Sequence, residues 1–451
     1  MSAQLVVPVN PVPRIPVWRI FGTLWKIREG SLDQAVSLVR LQPGAFRITA
    51  GPLGVLILND PALVEEVLVK HHKIYKKDQG IQALRRVLGN GLLTSEDEFH
   101  LRQRRLIQPA FHRQRIAAYG DCMVRYAREL SDTWQDSDTV DINTEMMAVT
   151  LSIIGKTMFD TEVGGVAANV AHDLENVIKY HDIYAVPVVR WIFERLPIPP
   201  SIKFRRSMKR LDDTIYQMID DHLKAEEDNG DLMSMLLLSR DEDGSQMDLR
   251  QIHDEAITLF LAGHETTAIA MTWTWYLLSQ HPEVEARLHE ELDRVLTDGR
   301  DATAADVEKL VYTRQVFTES MRLYPPAWGF GRLAKEDHQL GPHRVRKNQI
   351  VIMSPYLMHR MPEWFPNPDA FDPDRWLPER CASLPKFAYF PFGGGVRKCI
   401  GEPFAWMEGI LLLATFAQRW KMRLAPDAKV GLDPKITLRP RHGLKMVLKK
   451  R

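Results

Sequence analysis

Between Ala256 and Leu278 the chain is almost entirely apolar, and His264 and Glu265 interrupt the run near its middle. Ionisable groups there would cost roughly 2.5–3.5 kcal/mol each in lipid, and the uninterrupted runs on either side fall short of a membrane span. A helix that is greasy on all sides with one polar notch belongs at the centre of a fold, lining a site. The pattern predicts one long helix from about Asp248 to His281, where Pro282 opens the next. The notch reads Ala262-Gly263-His264-Glu265-Thr266-Thr267. His264-Glu265 suggests a zinc protease, but that motif needs a second histidine at position 268, which is Ala268.

A second stretch carries chemistry: Phe392-Gly393-Gly394-Gly395-Val396-Arg397-Lys398-Cys399-Ile400-Gly401. Behind it, Phe404, Met407, Leu411, Ala414 and Ala417 recur at helical spacing, predicting a helix from Phe404 to roughly Trp420 with Cys399 in its first turn. Unpaired N–H groups and the positive end of a helix dipole favour thiolate over thiol. Arg397 adds a cation. Consecutive glycines let a backbone pass close to something flat and bulky. A thiolate offered in this way suits the axial position of a haem iron. The bland alternative is a glycine turn closed by an inert buried cysteine. A phosphate loop is excluded, because no Gly-Lys-Ser/Thr follows at the required spacing.

The loop resembles the Phe-x-x-Gly-x-Arg-x-Cys-x-Gly signature of the cytochrome P-450 (haem-thiolate) family, at Phe392, Gly395, Arg397, Cys399 and Gly401. Further motifs follow the family's order. The central notch is similar to its Ala/Gly-Gly-x-Asp/Glu-Thr pattern, where an acid and an alcohol relay protons during oxygen activation; carried over, these are Glu265 and Thr266. A threonine in mid-helix also commonly bonds back to the carbonyl one turn earlier, and a local kink there would serve both readings. Glu319 and Arg322, one helical turn apart and followed by Leu323-Tyr324-Pro325-Pro326, resemble the first two members of the family's buried Glu-Arg-Arg triad. Arg375 in Phe371-Asp372-Pro373-Asp374-Arg375-Trp376 would be the third. Taken alone, Glu-x-x-Arg is a surface pair worth about 0.2–0.5 kcal/mol.

The resemblance implies haem b held by the Cys399 thiolate and its propionates by Arg332 and the pair His100 and Arg104. The family often has tryptophan where His100 stands. Phe392, Arg397 and Gly401 complete the cofactor set. Ser95-Glu96-Asp97-Glu98 reads as a capping box opening the helix that carries His100. Substrate contacts are expected from Phe260, Leu261 and Ala268 on the central helix, and from Trp328 and Phe330. Leu438 joins them at the tip of a hairpin read over 435–446. Ile183, Tyr184, Val186, Trp191, Ile192 and Phe193 suggest a greasy lid, with ordinary helix packing as the alternative. Arg85 and Arg86 would meet a carboxylate at the entrance.

The fold class implied is mainly α with small antiparallel β-sheets and a long central helix over the haem. It is read as a single domain over 1–451, with an extended proline-rich segment at 1–16. Two smaller readings are local. Phe46–Ala50 and Val55–Leu58 form a hairpin, and Asp60 with Pro61 opens a helix to about Lys70. A net charge of +1 offers no global field for nucleic acid or anionic membrane. Cys122, Cys381 and Cys399 provide no disulfide framework, which fits a reducing compartment. The N-terminus lacks a basic region followed by an apolar core, so no signal peptide or transmembrane anchor is expected and the reading is a cytoplasmic monomer.

The function implied is a monooxygenase that hydroxylates an apolar substrate, a fatty acid, terpenoid or steroid in that order. It uses O2 and electrons from a separate ferredoxin or flavodoxin and reductase. Lys398, Arg113 and Arg115 suggest a basic face for that donor. A peroxygenase or isomerase on the same fold is a second class, against which Glu265-Thr266 argues. A non-enzymatic haem sensor or carrier is a third.

Overall fold

The computed structural model describes residues 13–16, 32–49, 54–160, 166–178, 195–225 and 230–451. The lid residues Ile183 to Phe193 lie outside these. Backbone contacts divide the chain into two units. One takes Met1–Asp78, Thr318–Cys399 and Val430–His442; the other takes Gln79–Phe317, Ile400–Lys429 and Gly443–Arg451.

The first unit is built on a six-stranded sheet in the order Arg14–Pro16, Ala45–Thr49, Val55–Leu58, Ile350–Met353, Phe330–Ala334, Tyr75–Lys77. Three of its pairings are antiparallel; the first strand runs parallel to the second, and Val55–Leu58 parallel to Ile350–Met353. The expected antiparallel sheets are thus mixed at two seams. Burial alternates along Val55–Leu58 and Ile350–Met353, as a half-covered sheet requires. Phe46, Leu56, Tyr75, Val351 and Met353 form its core with Val64 and Leu68. Asp60 caps the helix after the hairpin, accepting from the Ala62 and Leu63 N–H groups at 2.7 and 3.2 Å. That helix covers Pro61–Glu65 and widens into a π-helical turn over Glu66–Lys70.

The second unit is helical. Its central helix spans Leu249–Gln280, close to the expected bounds, with the Asp248 carboxylate accepting from Gln251 N–H at 2.7 Å. Helix Ile142–Phe159 packs along it: Phe159 meets Phe260 at 5.5 Å between ring centroids, and the Thr150 hydroxyl donates to the His264 carbonyl at 2.9 Å. Helix Arg113–Thr133 meets helix Glu402–Ala417 through Tyr119 and Phe404. The latter helix ends at Ala417, and Trp420 starts a strand instead. That strand, Trp420–Leu424, pairs with Lys445–Lys450, which pairs in turn with Thr139–Asp141. The 435–446 run is therefore not one hairpin. Its first half, Leu438–Pro440, folds back on Leu432–Pro434, and the rest leaves for this other sheet. Among the described residues no helix is long and apolar enough to cross a membrane.

Candidate haem-thiolate site

The cysteine loop is a tight structure of its own. Gly393 and Gly395 have φ of +69° and +67°, a region side chains disfavour. A Cβ at Gly395 would collide with the Leu68 carbonyl, and one at Gly394 with the Phe387 ring. Two of the three glycines thus serve the loop's own packing. Gly393 alone has open space, with only Phe330 near, at 3.8 Å. Cys399 N–H donates to the Phe392 carbonyl at 3.0 Å, closing the loop, and Cys399 is exposed. It lies outside the first turn of the following helix: Gly401 is the N-cap and the helix begins at Glu402. The cysteine is presented by a short 3-10 turn over Gly395–Arg397, in which Arg397 is half-buried.

Glu319 is fully buried and gathers its partners closely. Arg322 donates to it from Nε and Nη2, both at 2.8 Å, and Arg375 Nε reaches it at 3.3 Å. Arg322 also donates to the carbonyls of His359, Pro368 and Ala370, so its charge is fully engaged. Sequence reasoning missed two members. Trp376 Nε1–H donates to Glu319 at 2.9 Å, and Asp372 N–H at 3.1 Å. It also missed His359, whose Nδ1 meets the Arg322 carbonyl at 3.2 Å while Nε2 accepts the Phe390 N–H at 3.1 Å. Burial, then the Arg322 and Arg360 cations, hold this imidazole well below its ordinary range. It is a neutral rivet between the triad and the approach to the cysteine loop. No spacing signal marks it.

In the same unit Trp328 and Phe330 are half-buried. Trp328 Nε1–H donates to the Lys435 carbonyl at 2.8 Å. Leu438 is fully buried, with its N–H on the Pro326 carbonyl at 3.0 Å, and clusters with Leu32, Val36 and Tyr356. Arg332 is buried, lies over the Phe330 ring at 5.1 Å and donates to the Gly331 carbonyl.

In the other unit the notch leaves one face of the central helix uncovered. Ala262 is exposed and Thr266 half-buried, while Leu259, Leu261, Glu265 and Ala268 around them are buried. Residues four apart lie on one face, so Ala262 and Thr266 form a shallow step of small side chains. The helix runs unbroken through the step, and the Thr266 hydroxyl donates to the Ala262 carbonyl at 2.9 Å, the ordinary mid-helix habit. Gly263 answers to a different neighbour: a Cβ there would collide with Ile154 of helix Ile142–Phe159. Phe260 lies on a different face of the helix from the step and meets the rings of Phe159 and His264.

His100 and Arg104 sit one turn apart on helix Asp97–Ile107. The capping box does not form: Glu96 is the N-cap without a side-chain capping bond, its carboxylate accepting from Gln82 Nε2 at 3.1 Å, and Asp97 takes φ +51°. Ser95 instead meets His100 Nδ1 at 3.3 Å, and the Leu92 carbonyl lies 3.1 Å from the same nitrogen. With Nδ1–H donated to Leu92, a neutral His100 presents Nε2 as an acceptor, so only its imidazolium can also donate to a propionate. Arg113 is paired with Glu308, and Arg115 is bonded to the Gly230 carbonyl. Glu408 is another group no motif announced. It is fully buried on helix Glu402–Ala417, and burial pushes its carboxyl up to about 8, opposed by the Thr267 hydroxyl, next in sequence to Glu265 and Thr266.

Within the first unit the donor set fits a haem: one exposed cysteine on a glycine-rich loop, with buried or half-buried arginines at 332 and 397. Comparison with known proteins agrees. The Cytochrome P450 family model matches residues 11–445. Cyclooctatin synthase of Streptomyces melanosporofaciens is 42% identical over 392 residues, covering 86% of this chain and 85% of that protein. Pentalenene oxygenase of Streptomyces avermitilis is 34% identical, with 91% of each chain covered. Protein LUTEIN DEFICIENT 5, chloroplastic, of Arabidopsis thaliana is 32% identical over 97% of this chain and 77% of its own. A family match over nearly the whole length, on a fold that presents one cysteine loop and one acid–alcohol helix, means that the chain belongs to the cytochrome P450 family of haem-thiolate monooxygenases.

Proposed function

We propose that the protein hydroxylates a polycyclic terpenoid, drawing electrons from a separate ferredoxin or flavodoxin and its reductase. The observation that carries this reading is an exposed Cys399 in the same unit as the half-buried aromatic side chains Trp328 and Phe330, which together with Leu438 would form an apolar wall. Such a wall binds by burial, at roughly 25 cal/mol per Å² of apolar area, and so favours large ring systems over small polar molecules. The names of similar proteins point the same way: pentalenene and cyclooctat-9-en-7-ol are an alkene and an alkenol. Terpenoids therefore move ahead of fatty acids and steroids.

Bound haem supplies the activation of O2 and the insertion of one oxygen atom. Cys399 would hold it as a thiolate and push electron density onto the metal. Arg332, Arg397, Arg104 and the His100 imidazolium would neutralise the propionates. Phe392 and Gly401 frame the loop. Leu261 and Ala268 would meet the ligand from the central helix. Glu265, buried, would hold a proton, and the Thr266 hydroxyl would accept it on a lone pair. To pass a proton on, Thr266 must release its 2.9 Å bond to the Ala262 carbonyl, which makes that bond the switch of the relay. The relay also separates this reading from a sensor or carrier, which needs no proton delivery.

The test is a titration of terpenoid, fatty-acid and steroid sets against the haem Soret band, with Cys399→Ala as control. The terpenoids should give the tightest low-to-high-spin shifts, and the variant should lose the strongly red-shifted ferrous–CO band. Small hydrophilic compounds binding most tightly would refute the substrate class. A variant that kept the band would refute the ligand.

A further inference from the structure

The N-terminal part of the central helix holds a polar cluster that the oxygen chemistry does not use. The turn Gly89-Asn90-Gly91-Leu92 is pressed against it. Gly89 has φ +55°, and a Cβ there would strike the Asp254 carboxylate; one at Gly91 would strike Thr258 and the Asp254 carbonyl. The turn is seated by its backbone. Asn90 N–H donates to Asp254 Oδ2 at 2.6 Å, and Leu92 N–H to Glu255 Oε2 at 2.8 Å. Gln251 Nε2 joins the Asn90 carbonyl at 3.2 Å and Glu255 Oε1 at 2.6 Å.

The other oxygen of Asp254 faces His253 Nδ1 at 3.2 Å. His253 Nε2 faces Asp212 Oδ1 at 3.1 Å, on helix Pro199–Ala225. From the same helix the Tyr216 ring stacks on the imidazole, 4.7 Å between centroids and 18° from parallel. A neutral imidazole donates from one nitrogen only, whereas both nitrogens here face carboxylate oxygens, so the geometry calls for imidazolium. Burial opposes that charge, but the hydrogen bonds to Asp212 and Asp254 outweigh it and push His253 up to about 9. The groups facing it are Asp212 and Tyr216 from helix Pro199–Ala225 and Asp254 from its own helix. The turn's N–H groups meet Asp254 and Glu255 rather than the imidazole, and Arg85 is bonded to the Asn90 side chain.

We propose that His253 is a positioning residue that makes helix Pro199–Ala225 and the 89–92 turn move as one. By bridging Asp212 and Asp254 it aims the carboxylate on which the turn is seated, so that releasing either end loosens the other. The bridge is whole at neutral pH and fails as pH rises through about 9, when the imidazolium loses its proton. While the bridge holds, opening of either element disturbs the other, although they are distant in sequence.

Hydrogen exchange on the full-length holoenzyme tests this, read separately on peptides covering 89–92 and 205–216. Among the described residues Asp212 is linked to the turn through His253 and Asp254. Asp212→Asn should therefore speed exchange at 89–92 roughly tenfold, the scale set by losing one charged hydrogen bond. His253→Gln should do the same, and adding Asp212→Asn to it should change nothing more at the turn. His253→Arg, which keeps a cation with donors on both sides, should restore protection. In the unmodified protein the turn should lose protection above about pH 9, after correction for intrinsic exchange. If Asp212→Asn loosens only 205–216, or if His253→Gln leaves 89–92 as protected as before, the coupling does not exist.

Discussion

Thr266 and Glu408 are separated in role by what surrounds each hydroxyl or carboxyl. Thr266 is half-buried, and its hydroxyl bonds back to its own helix at the Ala262 carbonyl, so removing it costs the fold little. Thr266→Ala should keep the protein folded and consuming O2 but divert reducing equivalents to peroxide, read as the ratio of product to NADH. Normal coupling would remove Thr266 from the relay. Glu408 behaves oppositely. Its folded form holds a proton up to about 8, whereas the unfolded chain releases it near the ordinary 4.5. The folded state therefore loses relative stability as pH rises between those values. Glu408→Gln removes that loss. The variant should gain on the unmodified protein from pH 5 to pH 8, by on the order of a few kcal/mol, and the gap should stay flat above. Denaturant unfolding at several pH values measures it, and a gap independent of pH would show that the carboxyl titrates normally.

At the scale of elements, the triad is a junction between the end of helix Val311–Leu323 and the 366–376 segment. Four guanidinium and indole N–H donors, from three side chains, and one backbone N–H converge on Glu319. Glu319→Gln leaves Arg322 buried with its charge uncompensated, a loss of roughly 3–5 kcal/mol. A lowered urea midpoint together with faster haem loss should report it; an unchanged midpoint would mean that the carbonyls of His359, Pro368 and Ala370 suffice. The spacing of Glu319 and Arg322 made this element legible. His359 and Trp376 were not, because their need for partners arises only once Phe390 N–H and Glu319 are brought beside them. The central helix shows the same division. Its ends were legible from Asp248 and Pro282, which act locally. The directions of Phe260 and Gly263 depend on Phe159 and Ile154, far away in the chain.

At the scale of the molecule, a net charge of +1 provides no long-range attraction, so an electron donor must be guided by local charge. Lys398 is exposed beside Cys399, whereas Glu308 offsets Arg113 and Arg115 is tied to a carbonyl. We expect Lys398→Glu to slow electron transfer from an acidic ferredoxin at low salt and to matter little at high salt. A rate insensitive to both the charge and the salt would place the donor elsewhere. The amino-acid sequence by itself determined the family, the cysteine loop, the acid–alcohol notch and the extent of the central helix. Each of these is written in residues within a turn or two of one another. Tertiary structure alone decided what the glycines make room for, which sheet receives Lys445–Lys450, that Glu408 keeps its proton, and that His253 joins two carboxylates from different helices. Those outcomes depend on the partner across the contact, and packing selects that partner from the whole chain rather than from neighbouring residues.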